Sequence, residues 1–329
     1  MTDVIITYQQ TLEDVLIFLF FGIGAKVIML FVFQSKKPVV PVGRTRLWYG
    51  LGLFWFLSAI LQIWPTMAIA SLQALKPHPL LWNLASYWAR HTVANTIWSI
   101  IIQLILGILL LTERENLTGR IALGVSAIWS LFLWSAGESW GGLTHRSASL
   151  VLGSPGAGIL AFIASAALLM PVSSWSNHQV PRILSRGLIG IWSIGTIWQV
   201  IHFDAYNAWS PIWIPYIDKA QPTVTLLMRH SAQLIIHSQP LLFNVILSAL
   251  MAFAVILMLR QRYDGLFWGI ISLDLLLFWW IGQGFGLRPA YGANLNAAPL
   301  LFLLIWSIAS TAAKTHPEQY VVEQPAASA

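Results

Sequence analysis

Residues 241–259 read LLFNVILSALMAFAVILML. One asparagine and one serine are the only polar side chains in the stretch, and it holds no charge. At about 1.5 Å of rise per residue, a helix of this length covers about 28 Å, close to the ~30 Å hydrocarbon thickness of a bilayer. The stretch is therefore read as a membrane span. Eight further apolar runs have the same character: Val15–Phe33, Leu47–Trp64, Ala94–Leu111, Ile121–Ala136, Gly156–Pro171, Gly187–Phe203, Leu266–Ile281 and Pro299–Ala313. The whole chain agrees with them, being 57% hydrophobic and only 9% charged, against roughly 25% charged residues in an ordinary soluble domain. These observations predict an all-α integral membrane protein with about nine transmembrane helices.

The charges between the runs set an expected orientation. Asp3, Glu13 and Asp14 precede the first run, and Lys36, Lys37, Arg44 and Arg46 follow it. That order is the reverse of a cleaved signal peptide, whose basic residues come first. Arg114, Arg120, Arg182, Arg186, Arg260, Arg262 and Lys314 fall in the same alternate loops as Arg44. Short loops rich in Lys and Arg stay cytoplasmic, which predicts an amino terminus outside a bacterial or archaeal plasma membrane and a carboxyl terminus inside. The net charge of +6 follows from this distribution and points to neither nucleic acid nor nucleotide as a partner. The bilayer is the partner that the composition does name.

A weak internal repeat runs through the chain. WFLSAILQ (55–62) matches WSIGTIWQ (192–199), Asn95 and Asn244 each open the next run, and GESWG (137–141) matches GQGFG (282–286). The expected organisation is an amino-terminal helix with a basic loop (1–46), a four-helix unit (47–171), a cytoplasmic linker (172–185), a second four-helix unit (186–313) and a polar tail expected to be disordered (314–329). An even number of helices per unit makes the two parallel repeats.

Candidate functional residues gather at the expected outer ends. Gly137, Gly141, Gly142, Gly156, Gly282 and Gly286 suit helix ends and tight loops. Glu138 is the costly member, because a carboxylate at a helix carboxyl terminus meets the negative end of the dipole. It either points into water or turns into a cleft between the units, facing Gln283 with His145 nearby. Gln62, Gln199, Asn95 and Asn244 complete the polar set. Within the apolar runs, Asp274 and Lys26 are intramembrane charges. Such residues pair with one another or line a polar path, and both alternatives stand.

With no cysteine, the chain has no disulfide, thiolate metal site or cysteine nucleophile. Six histidines (His78, His91, His145, His202, His230 and His237) lie in expected outer segments, but none has a tight ligand spacing, so metal or haem is not expected. No Walker, G-x-S-x-G or HExxH pattern occurs. The long outer segments 65–93 and 204–240, rich in Trp, Tyr and Pro, suit interfacial helices and the docking of a periplasmic or extracellular protein.

GESWGGL (137–143) and GSPGA (153–157), with the later GQGFG, resemble segments of a group of uncharacterised bacterial polytopic membrane proteins of actinobacterial type. Leu287 departs from that pattern, standing where the last glycine is typical. Each four-helix unit is more distantly similar to the DoxX/DoxD class, through Asn95 and the Gln103 to Gly107 stretch. That likeness implies a membrane subunit linked to quinone redox chemistry. Gln62, Gln199, Glu138 and Asn95 would then sit at a quinone head group, the only cofactor suggested. The alternatives are a small-molecule or ion transporter using the repeat interface, marked by Glu138 and Asp274, and a non-catalytic membrane scaffold.

Overall fold

The computed structural model describes residues 40–63, 91–138, 140–143, 149–201, 240–283 and 295–312, with isolated positions 10, 13, 17, 86, 87, 90 and 285. Among these residues all regular structure is helical. A chain this apolar satisfies its backbone groups within each segment, since lipid offers them no partner. The elements are α1 (Val42–Gln62), α2 (Thr92–Thr112), α3 (Leu117–Phe132), α4 (Ala157–Leu169), α5 (Val172–Ser176), α6 (Gln179–Ile201), α7 (Pro240–Leu259), α8 (Gly265–Leu277) and α9 (Ala297–Ala312). Five-residue π turns, Leu133–Gly137 and Phe278–Gly282, continue α3 and α8. Val93–Thr112, Leu117–Gly137, Leu241–Leu259 and Gly265–Gly282 are each long and apolar enough to cross a membrane, and Ala157–Leu169 and Ala297–Ser310 are shorter apolar helices.

Eight of the nine apolar runs coincide with these helices to within a few residues at most ends. Two helices start five or more residues before their apolar runs. α1 begins at Val42 rather than Leu47 because Arg44, which hydropathy excludes, is buried. α6 begins at Gln179 rather than Gly187, with Pro181 in its first turn, where a missing N–H costs nothing. The expected linker 172–185 therefore holds α5 and the start of α6. The run Val15–Phe33 (position 17 apart), most of segments 65–93 and 204–240, and the tail 314–329 lie outside the described residues, as do Lys26, His145 and Gly286.

α9 is the hub. It packs against α1, α4, α6 and α8 and is buried at most positions, from Ala297 and Ala298 through Leu300, Leu301, Leu304 and Ile308. An apolar helix with no polar face belongs in this place. Between helices in lipid, attraction comes from close packing rather than from hydrophobic burial. A β-carbon on Gly107 of α2 would press on the backbone of Phe56 in α1, and one on Gly50 of α1 would strike Leu303 of α9. Small residues thus set these two approaches.

The helix ends fall on two faces. At one, Arg44 Nε and Nη2 donate to the two carboxylate oxygens of Glu115 at 2.6 and 2.9 Å, and Nη1 donates to the Met170 carbonyl at 2.9 Å. The guanidinium lies 5.9 Å from the Trp48 ring and 6.0 Å from that of Trp175. Arg46 bonds Ser310 and stacks over Trp306 at 4.5 Å, and Arg114 donates to Thr45 at 3.1 Å. The start of α1, the α2–α3 turn and the ends of α4 and α9 therefore share this Arg44 face. Asn116 and Asp264 cap α3 and α8 in the same way, each accepting the backbone N–H three residues on, from Gly119 at 2.8 Å and from Phe267 at 3.1 Å. The Phe267 N–H holds the Asp264 carboxyl below the usual carboxylate range.

Candidate functional site

At the opposite face the chain builds one arrangement twice. Each π turn closes with the N–H of its capping residue: Glu138 donates to the Leu133 carbonyl and Gln283 to that of Phe278, both at 2.9 Å. The second residue of each π turn is a tryptophan, whose indole N–H crosses to the segment entering the following helix. Trp134 donates to the Pro155 carbonyl at 2.7 Å, and Trp279 to the Leu295 carbonyl at 3.0 Å. Each tryptophan meets an aromatic ring edge-on, Trp140 at 4.9 Å and 80°, Phe285 at 5.0 Å and 83°.

The capping side chains then complete the arrangement. Both carboxylate oxygens of Glu138 accept from the N–H of Gly158, at 3.1 and 3.0 Å. Gln283 Oε1 accepts from the N–H of Ala298 at 3.0 Å. Each acceptor meets the second N–H of the next helix, at the positive end of its dipole. Glu138 is half-buried: leaving the negative end of α3, it reaches the positive end of α4. A charged acceptor on an orphan N–H is a strong cap. Glu138→Ala is expected to cost about 0.5–2 kcal/mol of stability, the usual range for a lost cap, while Glu138→Gln, copying Gln283, is expected to keep most of it. Thermal unfolding of the purified variants in detergent measures both.

The segment 149–156 joins the two arrangements. Gly141 (φ 64°) and Gly156 (φ 109°) adopt left-handed backbone, and a β-carbon on Gly141 would collide with the Pro155 carbonyl, one on Gly156 with the Glu138 carboxylate. Ser154 donates to the Gly141 carbonyl at 2.7 Å. On the other side, Gly153 lies 3.5 Å from Gln283, measured from the β-carbon it lacks, and Gln283 Nε2 donates to the Val151 carbonyl at 3.4 Å. Gly282 packs against Val151 so closely that its missing side chain would strike that carbonyl. Gly137, its counterpart, is exposed. Gly142 ends the short turn Trp140–Gly142.

Ser149 extends the network into α6 and α7. Its hydroxyl donates to Gln199 Oε1 at 3.1 Å, and Gln199 Nε2 donates to Asn244 Oδ1. Thus Glu138, Gln283, Gln199 and Asn244 gather around one segment. Gln62 does not join them and donates instead to Gln103 Oε1 at 3.2 Å, between α1 and α2. Asn95 is half-buried in α2. Ser149 is not marked by the sequence, and Gln103 is marked only through the DoxX/DoxD-like stretch, not as a partner of Gln62. Their signal is faint, because one serine or one glutamine beside a loop has many ordinary explanations.

Asp274, midway along α8, has 0% of its surface exposed. Among the described residues neither carboxylate oxygen has a hydrogen-bond partner, and the same holds for Trp192 Nε1, Asn244 Nδ2 and Ser248 Oγ. The Trp192 indole is the neighbouring donor, but its geometry falls short of a bond. No group of three His, Asp or Glu side chains capable of holding a metal occurs among the described residues. No family model, no curated protein and no solved structure matches the chain, so the reading of this site rests on its geometry.

Proposed function

We propose that the protein is a multi-pass plasma-membrane transporter in which α6–α9 provide a polar route for a small solute or ion. The proposed topology has about nine spans: an amino-terminal helix outside the described residues, then two parallel four-helix units. The twin π turns, crossing tryptophans and helix caps support an ancient duplication. The excess of basic residues supports placing the Arg44 face in the cytoplasm and the Glu138 face outside.

Asp274 carries the transport reading. Burying a carboxylate in a membrane-spanning helix is costly, and such residues ordinarily mark a substrate or ion path. The Trp192 indole beside it also stands without a partner among the described residues, which buried polar groups in folded proteins rarely do. The quinone-linked reading, suggested by the DoxX/DoxD resemblance, needs Gln62, Gln199, Glu138 and Asn95 for a head group. Gln62, Gln199 and Glu138 already bond within the protein, which weighs toward transport. The scaffold reading rests on long loops outside the described residues.

The test is flux. Purified protein in liposomes is expected to give substrate- or ion-driven currents on a solid-supported membrane, and Asp274→Asn is expected to abolish them while remaining monodisperse. A sample without currents that carries stoichiometric quinone in its organic extract would select the redox reading instead.

A further inference from the structure

The geometry points to a proton, relayed on water, as the ion that Asp274 takes up inside α6–α9, an inference that rests on the transport reading and names its cargo. The unpartnered polar atoms buried on α6, α7 and α8 argue against the other classes. Trp192 Nε1 and Asn244 Nδ2 can only donate hydrogen bonds, Ser248 can do either, and Asp274 alone brings a charge. A hard metal cation needs about six or more oxygen ligands, and the Trp192 N–H beside the carboxylate would repel it. An anion would meet the carboxylate. Water suits each of the four groups in turn: it would accept from the indole and from the amide, exchange with the hydroxyl and donate to the carboxylate. Buried waters serve such otherwise unsatisfied groups.

The polar groups also form a graded line. Ser149 bonds Gln199 and Gln199 bonds Asn244, starting at the Glu138 face. Ser248 follows Asn244 by one helical turn on the buried face of α7. Measured by helix rise from the Arg44 face, Ser248 lies about 16 Å deep and Asp274 about 14 Å. Asp274 shares its buried face with Phe267, Ile271 and Phe278, and the Phe278 ring lies 5.8 Å from that of Trp192. Asp274 therefore lies among apolar rings on its own face, at about the depth that Ser248 has on the α7 helix packed against α8.

Nothing ionisable among the packed helices competes for the proton. α7 and α9, which flank α8, contain no Asp, Glu, Lys, Arg or His, and α8 contains only Asp274. On α6 the charges are Arg182 and Arg186, exposed at its first turns. Tyr263 and Asp264 stand at the Arg44 face, before α8 begins. Uptake converts the carboxylate and a hydronium ion into a carboxylic acid and water, and release reverses it, so charge and atoms balance without an oxidant or reductant.

The experiment uses the full chain in two measurements. Infrared spectra of reconstituted protein, taken across a pH series and after exchange into heavy water, are expected to show a protonated-carboxyl band. It should shift in heavy water, titrate, and vanish in Asp274→Asn. Liposomes enclosing a pH-sensitive dye and driven by a potassium diffusion potential are expected to acidify with wild-type protein, and with Asp274→Asn only at the protein-free rate. Asp274→Glu, which restores the acid if folding is intact, is expected to recover part of the flux. Currents carried by sodium at constant pH, with no carboxyl band, would overturn the proton assignment and leave the transport reading standing. A titrating band with no flux of any ion would overturn the transport reading and the cargo with it. A band absent from wild type but present in Lys26→Met would show an ion-paired carboxylate and overturn the proposal.

Discussion

Gly282→Ala is expected to destabilise the protein by about 3 kcal/mol or more, at the upper end for overpacking of a close contact, while Gly137→Ala stays within about 0.5 kcal/mol of wild type. The two glycines occupy the same place in matched motifs and end matched π turns. Their surroundings differ. A β-carbon on Gly137 would find only the Leu133 Cδ2 atom, at 4.0 Å, whereas one on Gly282 would drive into the Val151 carbonyl. A flexible side chain could swing away, but the carbonyl belongs to a segment held by Ser149, Ser154 and Gln283. The shift would separate Gln283 from Val151 and open the contact between the two arrangements. Thermal unfolding of both variants in one detergent gives the comparison, and equal midpoints would show that segment 149–156 yields freely.

This pair of glycines also shows how far the amino-acid sequence determines a reading of the molecule. Apolar runs placed eight helices because lipid makes hydropathy nearly sufficient for that purpose. The matched motifs were legible too, since GESWG and GQGFG keep their spacing within a helix end. The caps that the two motifs make were not. Glu138 reaches a partner 20 residues on, at Gly158, and Gln283 one only 15 residues on, at Ala298, so loop length hides the equivalence of the two caps. The dipole argument that made Glu138 look costly considered the helix it ends and not the helix it begins. Asp274 was conspicuous as a lone acid among apolar residues. Its setting was not, because Trp192, Asn244 and Ser248 each look ordinary in their own helices, and the polar line from Ser149 exists only after α6, α7 and α8 assemble.

Arg44→Met is expected to cost about 3–5 kcal/mol, the range for removing one partner of a buried ion pair. Topology rules treat this arginine as a cytoplasmic charge among many, yet its side chain is 4% exposed and that of Glu115 is 9% exposed. The fork geometry puts two nitrogens on two oxygens, and the third contact ties the start of α1 to the end of α4 through Met170. Substituting methionine keeps bulk between Trp48 and Trp175, so the loss reports the uncompensated Glu115 carboxylate and the orphaned Met170 carbonyl rather than a cavity. Glu115 has φ 65°, a conformation that glycine adopts without strain. Arg44→Met with Glu115→Gly therefore removes the stranded charge and relieves the backbone together. The double variant is expected to be more stable than Arg44→Met alone, by more than Glu115→Gly alone gains over wild type, and that excess is the coupling energy additive sites would not show. If Arg44→Met unfolds within about 1 kcal/mol of wild type, the pair is hydrated and the Arg44 face is looser than its geometry implies. If the double variant is the less stable of the two, Glu115 supports the α2–α3 turn without Arg44, and the cost of Arg44→Met is not that of a stranded carboxylate.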